Sequence, residues 1–274
     1  MLKPISIIRA IKILEEYKTK GSGPLKIIGE DDNLYVAKFT TQPHPYFELT
    51  NEVICGYLAK TWDLKAPDMA IIKIPLEVAN VFKFTDRYKQ NYFNFPFYGS
   101  KIIEPAVDLS QYIGGVGSKL EYQKFENGLD LIKIGCFDHW IGNKDRNNKN
   151  SNIVLSYDIY SEKIIFHPID HTAAFAYINH LEVREEMLHI EKSIMQSGFV
   201  KSIGNWEDKR KLKNLKNNIE LCINNSLIHL DFIFDQVPKE WGFSKKARSR
   251  LKDVLRNVKL NKLISEKYFQ YLKK

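Results

Sequence analysis

The hydrophobic period of the chain changes near Ser100–Val107, and few architectures accommodate such a change. Before it, short runs rich in β-branched and aromatic residues alternate with turn-forming clusters. After it, apolar residues recur at three- and four-residue spacing. A run of strands followed by a run of helices reads as an α+β fold with segregated parts rather than as alternating βαβ units. The expected division is a β-rich N-lobe over residues 1–103 and a mainly helical C-lobe over 104–274, a two-lobed arrangement.

Within the first part, Leu25–Gly29 and Leu34–Phe39 flank the turn cluster Glu30-Asp31-Asp32-Asn33 and are expected to form a hairpin. Pro43 and Pro45 make 41–47 a loop. Thr50 is placed to cap a helix from Asn51 to about Trp62, and Pro67 ends that unit. Strands are expected at Ala70–Ile74, Val81–Phe84 and Lys101–Glu104. In the second part Leu129–Ile141 reads as a helix, Asn152–Ser156 and Lys163–Phe166 as a short hairpin, and the remainder from Leu181 as helical.

Composition narrows the function classes. The 274 residues include 41 Lys and Arg against 33 Asp and Glu, a formal charge of +8, which bears on partners rather than on fold. No apolar stretch approaches the roughly 20 residues of a membrane-spanning helix. Lys3, Pro4, Arg9 and Lys12 interrupt the apolar core that a secretory signal needs, so a cytoplasmic location is expected. Cys55, Cys136 and Cys222 are odd in number and far apart, which argues for reduced thiols over disulfides or a zinc site. The basic run Lys209, Arg210, Lys211, Lys213 and Lys216 reads as a solvated helix face; nucleic-acid binding and membrane association are not expected.

Chemistry concentrates in 137–155, where a helix runs into Asn143-Lys144-Asp145-Arg146 and an Asn-rich stretch, then a strand. Asp170 follows at the end of a second strand, in Pro168-Ile169-Asp170-His171. Two carboxylates and neighbouring amides are oxygen donors suited to Mg²⁺, which binds through one or two carboxylates plus substrate phosphates. Upstream, Val36-Ala37-Lys38-Phe39 puts a lysine inside an apolar strand, where an ammonium needs an anion. Glu52 on the following helix is the candidate partner. Gly21-Ser22-Gly23, ahead of the hairpin, could bring backbone amides to a phosphate. Each residue has an ordinary alternative: Lys38 snorkelling at a sheet edge, Asp145 and Arg146 as a structural ion pair, Asp170 as a turn carboxylate, Gly21–Gly23 as a flexible turn. His139, His167 and His171 are not spaced as a metal cluster, and His171 is placed to brace the loop. Gly114, Gly115 and Gly117 read as a loop.

The order of these motifs resembles the HipA-like kinases, relatives of the protein-kinase fold that include bacterial toxin kinases, and is most similar to their short, stand-alone branch. The likeness runs from the glycine loop through Asn51-Glu52 with Tyr57-Leu58-Ala59, Leu64-x-x-Pro67, Trp140-x-x-Asn143-x-Asp145-Arg146 and Ile169-Asp170-His171 to Val237-Pro238-x-Glu240-Trp241. The resemblance implies an ATP- and Mg²⁺-dependent phosphotransferase, with a serine or threonine of a protein as acceptor. It makes Asp145 the catalytic carboxylate and Asp170 the metal ligand, with Asn152, or in second place Asn150, as the metal-binding amide. Lys38, paired with Glu52, grips the phosphates beneath Gly21, Ser22 and Gly23, and an adenine-binding hinge lies near Ile102–Pro105, including Ile103 and Glu104. Ser22 would then be placed for autophosphorylation. Asn147 stands where the full toxin subgroup often has His, a departure from that subgroup's pattern. A toxin would imply an antitoxin-like partner. The rivals are a pseudokinase-like binding module and a small-molecule kinase.

Overall fold

The first strands close on themselves. In the computed structural model, which describes residues 2–18, 23–39, 47–112, 118–147, 150–175 and 193–271, β1 (Ser6–Glu16), β2 (Leu25–Gly29) and β3 (Leu34–Lys38) are followed by helix α1 (Glu48–Thr61) and β4 (Met69–Lys73). A short helix α2 (Leu76–Val81) and a 3₁₀ turn (Gln90–Asn94) precede β5 (Phe97–Lys101). The five strands form a closed barrel in the order β1-β2-β3-β5-β4. All neighbours are antiparallel except β1 and β4, which pair in parallel from Ser6↔Ala70 to Arg9↔Lys73.

Alternation along the strands sets what packs where. Ala70 and Ile72 of β4 and Phe97 of β5 fill the barrel with Ala10, Ile13, Leu25, Ile27 and Ala37, whereas Met69, Ile71 and Tyr98 face α1. Helix α1 is buried on nearly every side, as its apolar composition demands. Trp62 just beyond it stacks on Trp140 at 5.6 Å and meets Phe137 edge-on at 5.3 Å, which joins the barrel side to the helical part.

Beyond the barrel come β6 (Ala106–Asp108), α3 (Leu109–Tyr112), α4 (Lys119–Tyr122), α5 (Leu129–Ile141), β7 (Ile153–Asp158) and β8 (Lys163–Pro168), then α6 (Gly198–Trp206), α7 (Lys209–Asp235), α8 (Lys245–Leu255) and α9 (Val258–Tyr271). Strands β6, β7 and β8 form a separate three-stranded sheet. Helix α5 packs against α7 and α9 inside the larger core, with Leu131, Ile134, Phe137 and Ile141 fully buried. Cys55, Cys136 and Cys222 are buried free thiols. Among the described residues no helix is long and apolar enough to cross a membrane.

Several local expectations need correction. The helix expected from Asn51 begins at Glu48, with Phe47 at its cap position and no side-chain cap bond, so Thr50 is a buried helix residue. Val81–Phe84 is not a strand: Pro75 starts a helix that ends at Val81, whose side chain is 88% exposed. The strand expected at Lys101–Glu104 lies earlier, at Phe97–Lys101, where its register with β3 puts Tyr98 beside Lys38. Strands β1 and β6 match no element expected from the sequence. Gly21, Ser22 and the cluster Gly114, Gly115 and Gly117 lie outside the described residues.

Candidate active site

Lys38 is the last residue of β3, and the strand's alternation turns it away from the barrel interior, toward α1. Its ammonium lies 2.6 Å from Glu52 Oε1 and 3.0 Å from Asp170 Oδ1. Glu52 is almost wholly buried, and its second oxygen accepts the backbone N–H of His171 at 2.9 Å. Burial alone would push the Glu52 carboxyl up; the charge of Lys38, then the hydrogen bond and charge of His171, outweigh it and hold the group down at about 2. Burial likewise works to lower the Lys38 pKa, but Glu52 and Asp170 carry it above the ordinary lysine value. The ion pair is therefore charged on both sides at neutral pH.

Asp170 sits on a tight turn after β8, with φ of 55°, a left-handed conformation that aspartate tolerates better than most residues. Thr172 Oγ1 donates to its Oδ1 at 2.8 Å. The turn is fastened to α1: Asn51 Nδ2 donates to the carbonyls of Thr172 and Ala174 at 2.9 and 3.0 Å. Glu48, in the first turn of α1, has its pKa raised by burial and then by the nearby charge of Asp170. This places a third carboxylate close to Lys38, one that the sequence pattern did not single out.

The loop carrying Asp145 is built from the end of α5. Gly142 ends the helix in the left-handed region at φ of 61°, a conformation glycine adopts without strain. Asn143 donates through its backbone to the Asp138 carbonyl at 2.8 Å and through its side chain to Asp138 Oδ1 at 3.2 Å; its own Oδ1 accepts the Asp145 N–H at 3.2 Å. The Asp145 carboxylate accepts from both candidate amides, Asn150 Nδ2 at 2.9 Å and Asn152 Nδ2 at 3.2 Å. Asn152, at φ of 45°, immediately precedes β7, and its carbonyl accepts from Ile169 at 2.9 Å, which brings it beside Asp170. Asn150 is exposed and bridges back to Asn147. Of the two, Asn152 is thus the one placed between Asp145 and Asp170.

Arg146 does not pair with Asp145. Its side chain is fully buried, it bonds Asp138 Oδ1, and it donates to the carbonyls of Ile169 at 2.6 Å and Asn152 at 3.4 Å. The guanidinium thereby ties the loop of Asp145 to the turn of Asp170. Burial raises the Asp138 pKa, opposed chiefly by Arg146. The sequence carried a usable signal for Asp138, a carboxylate set among the apolar residues of α5, since such a charge requires a buried cation.

A cavity of about 240 Å³ opens between the barrel and the three-stranded sheet, lined by apolar residues such as Val36, Tyr98, Ile102, Ile103, Val154 and Ile169 and also by Lys38, Glu52 and Asp170, which meet there. A cavity lined by apolar residues together with a cluster of charged groups suits a planar base with a phosphate tail. Ile103 lines this cavity. Glu104 does not: its carboxylate meets Lys26 at 3.2 Å. Gly23 stands near the mouth of the β1–β2 turn at φ of 57°. The oxygen donors Asp170 and Asn152 fit a hard divalent cation that shares ligands with phosphates; among the described residues no cluster of His, Cys, Asp and Glu suggests a site of another kind.

Among solved structures, the chain superposes on that of the Helicobacter pylori proinflammatory kinase CtkA with a TM-score of 0.57, covering 97% of this chain and 99% of that one at 14% sequence identity. That likeness is one of fold. The Golgi casein kinase matches 94% of this chain and 74% of its own at 13% identity and a TM-score of 0.43. No curated protein sequence matches the chain. The model of the HipA-like kinase family matches residues 10–271, nearly the whole length, and the chain therefore belongs to the HipA-like kinase family.

Proposed function

We propose that the protein is an ATP- and Mg²⁺-dependent kinase that phosphorylates a serine or threonine hydroxyl of a protein, and the observation that carries this reading is the meeting of Lys38, Glu52 and Asp170 in the wall of the largely apolar cavity. Membership of a kinase family supports phosphoryl transfer in general; the arrangement of side chains supports the detail. The base occupies the slot against Ile102 and Ile103. Lys38, kept cationic by Glu52, holds phosphate oxygens. Asp170 and Asn152 hold the cation, which when bound neutralises charge on the transferring phosphoryl group.

Asp145 orients the acceptor hydroxyl. As the hydroxyl oxygen bonds to the γ-phosphorus and the bond to the β-phosphate oxygen breaks, Asp145 accepts the hydroxyl proton, leaving ADP and a phosphoester. The amides of Asn150 and Asn152 fix its carboxylate. Little covalent chemistry is asked of the protein, so positioning and charge supply most of the acceleration. Incubation of the chain with γ-labelled ATP, Mg²⁺ and a cell lysate, followed by phosphoamino-acid analysis, tests the reading. Label on phosphoserine or phosphothreonine that disappears with Asp145→Ala supports it; label confined to a small molecule moves the acceptor class; no transfer at all contradicts it.

A further inference from the structure

The turn that carries Asp170 is bonded to α1 at two successive residues. Asn51 gives both side-chain hydrogens to carbonyls of the turn, Thr172 at 2.9 Å and Ala174 at 3.0 Å, and Glu52 accepts the His171 N–H at 2.9 Å. Asn51 and Glu52 are 8% and 1% exposed, so these bonds are shielded from water. Arg146 holds the same turn from the other side through the Ile169 carbonyl, and its Nη2 lies 3.4 Å from His171 Nε2. Helix α1, the turn of Asp170 and the loop of Asp145 are thus joined by contacts internal to the chain. None of them calls on an added phosphate or an outside cation.

We infer that Asn51 is a positioning residue, a latch that docks α1 on the turn of Asp170 so that the Lys38–Glu52 pair is already assembled in the free, unphosphorylated chain. The inference rests on the kinase reading for its importance, though not for its geometry. An amide is the side chain that can serve: two N–H groups are needed for two carbonyl acceptors. A carboxylate of the same shape would set negative charge against both. Loss of the two bonds shifts the ratio of docked to released helix by on the order of ten-fold.

The latch can be read without catalysis, from the rate at which a small amine-reactive ester acylates Lys38 in the full chain, measured by mass spectrometry. In unphosphorylated wild type Lys38 is expected to be acylated at least ten-fold more slowly than in Glu52→Gln. Asn51→Asp and Asn51→Ala, still folded by their melting curves, are expected to approach the Glu52→Gln rate, while their Mg·ATP affinity falls by only about two-fold, since docked helix is depleted far less than released helix is enriched. Acylation of Asn51→Asp at the wild-type rate overturns the latch. So does a wild-type chain acylated as fast as Glu52→Gln, and this comparison decides the matter should neither Asn51 variant fold. A parallel titration of wild type with Mg·ATP separates the two claims: absent binding contradicts the kinase reading, while the acylation rates still judge the latch.

Discussion

Arg146 offers the sharpest test of how the site is held together. Its guanidinium is fully buried against Asp138 and against two carbonyls, those of Ile169 and Asn152. Arg146→Met keeps much of the volume but strands the Asp138 carboxylate, and breaking a buried pair from one side costs about 3–5 kcal/mol. For a chain of this length that corresponds to a fall in Tm of roughly 6–20 °C. The sign of the pH dependence follows from Asp138. Burial already raises its pKa, with Arg146 opposing; without Arg146 it rises further above the unfolded value. An acid whose folded pKa is raised loses stability as pH climbs from the unfolded pKa to the folded one, so the deficit of the variant should be small near pH 4 and full at neutrality. Chemical denaturation of wild type, Arg146→Met and Arg146→Met/Asp138→Asn across this range measures it, and the double variant should recover half or more of the loss. A deficit near 1 kcal/mol that does not change with pH would show that Arg146 carries no buried charge pair.

Glu52, held at about 2 against an ordinary value of 4.5, contributes stability above pH 4.5 that is lost as pH falls toward 2; wild type should exceed Glu52→Gln by up to about 3 kcal/mol at neutrality, with the gap closing over that window in acid denaturation. Lys38→Met should abolish transfer and also destabilise the chain by stranding Glu52, and Lys38→Met/Glu52→Gln should regain stability in thermal melts without regaining activity. Asp170→Ala should remove the Mg²⁺ dependence of nucleotide binding in calorimetry; unchanged metal dependence would contradict its assignment. At Gly128 an added methyl would lie 2.0 Å from the Tyr122 ring, so Gly128→Ala must displace that ring from its bond to Glu207 and should cost about 1–3 kcal/mol in the melting curve.

Much of this arrangement is legible in the sequence because it rests on local rules. The helix read at Leu129–Ile141 has those bounds, and the hairpin of β7 and β8 is found within two residues of its expected limits, starting at Ile153 rather than Asn152 and with each strand ending two residues later. Lys38 needed an anion by the physics of burial, and Glu52 and Asp170 both meet it. Strand β1 was hidden for a specific reason: register shifts between Ala10 and Lys12 and between Ile13 and Glu15 break its alternation, so its buried residues Ala10 and Ile13 fall three apart. Val81–Phe84 misled because β-branched and aromatic residues suggest a strand, whereas Pro75 supplies a helix start. Phe47 caps α1 without a side-chain bond, which leaves no cap signal to read. Arg146 and Asp138 lie only eight positions apart, and the buried carboxylate in α5 asks for a cation, but the bonds of Asn51 to the 170–175 turn span as many as 123 positions, beyond any local pattern.

The central claim, that Asp145 serves phosphoryl transfer from a nucleotide held by Lys38 and Asp170, is tested most directly by the single-turnover rate of label transfer from Mg·ATP in Asp145→Asn. The amides of Asn150 and Asn152 can still flank the substituted group, so fold and nucleotide affinity should stay near wild type. Loss of a general base lowers the rate by roughly 10²–10⁴. A fall of that size at unchanged Mg·ATP affinity is the predicted result; transfer by Asp145→Asn at the wild-type rate would contradict the account.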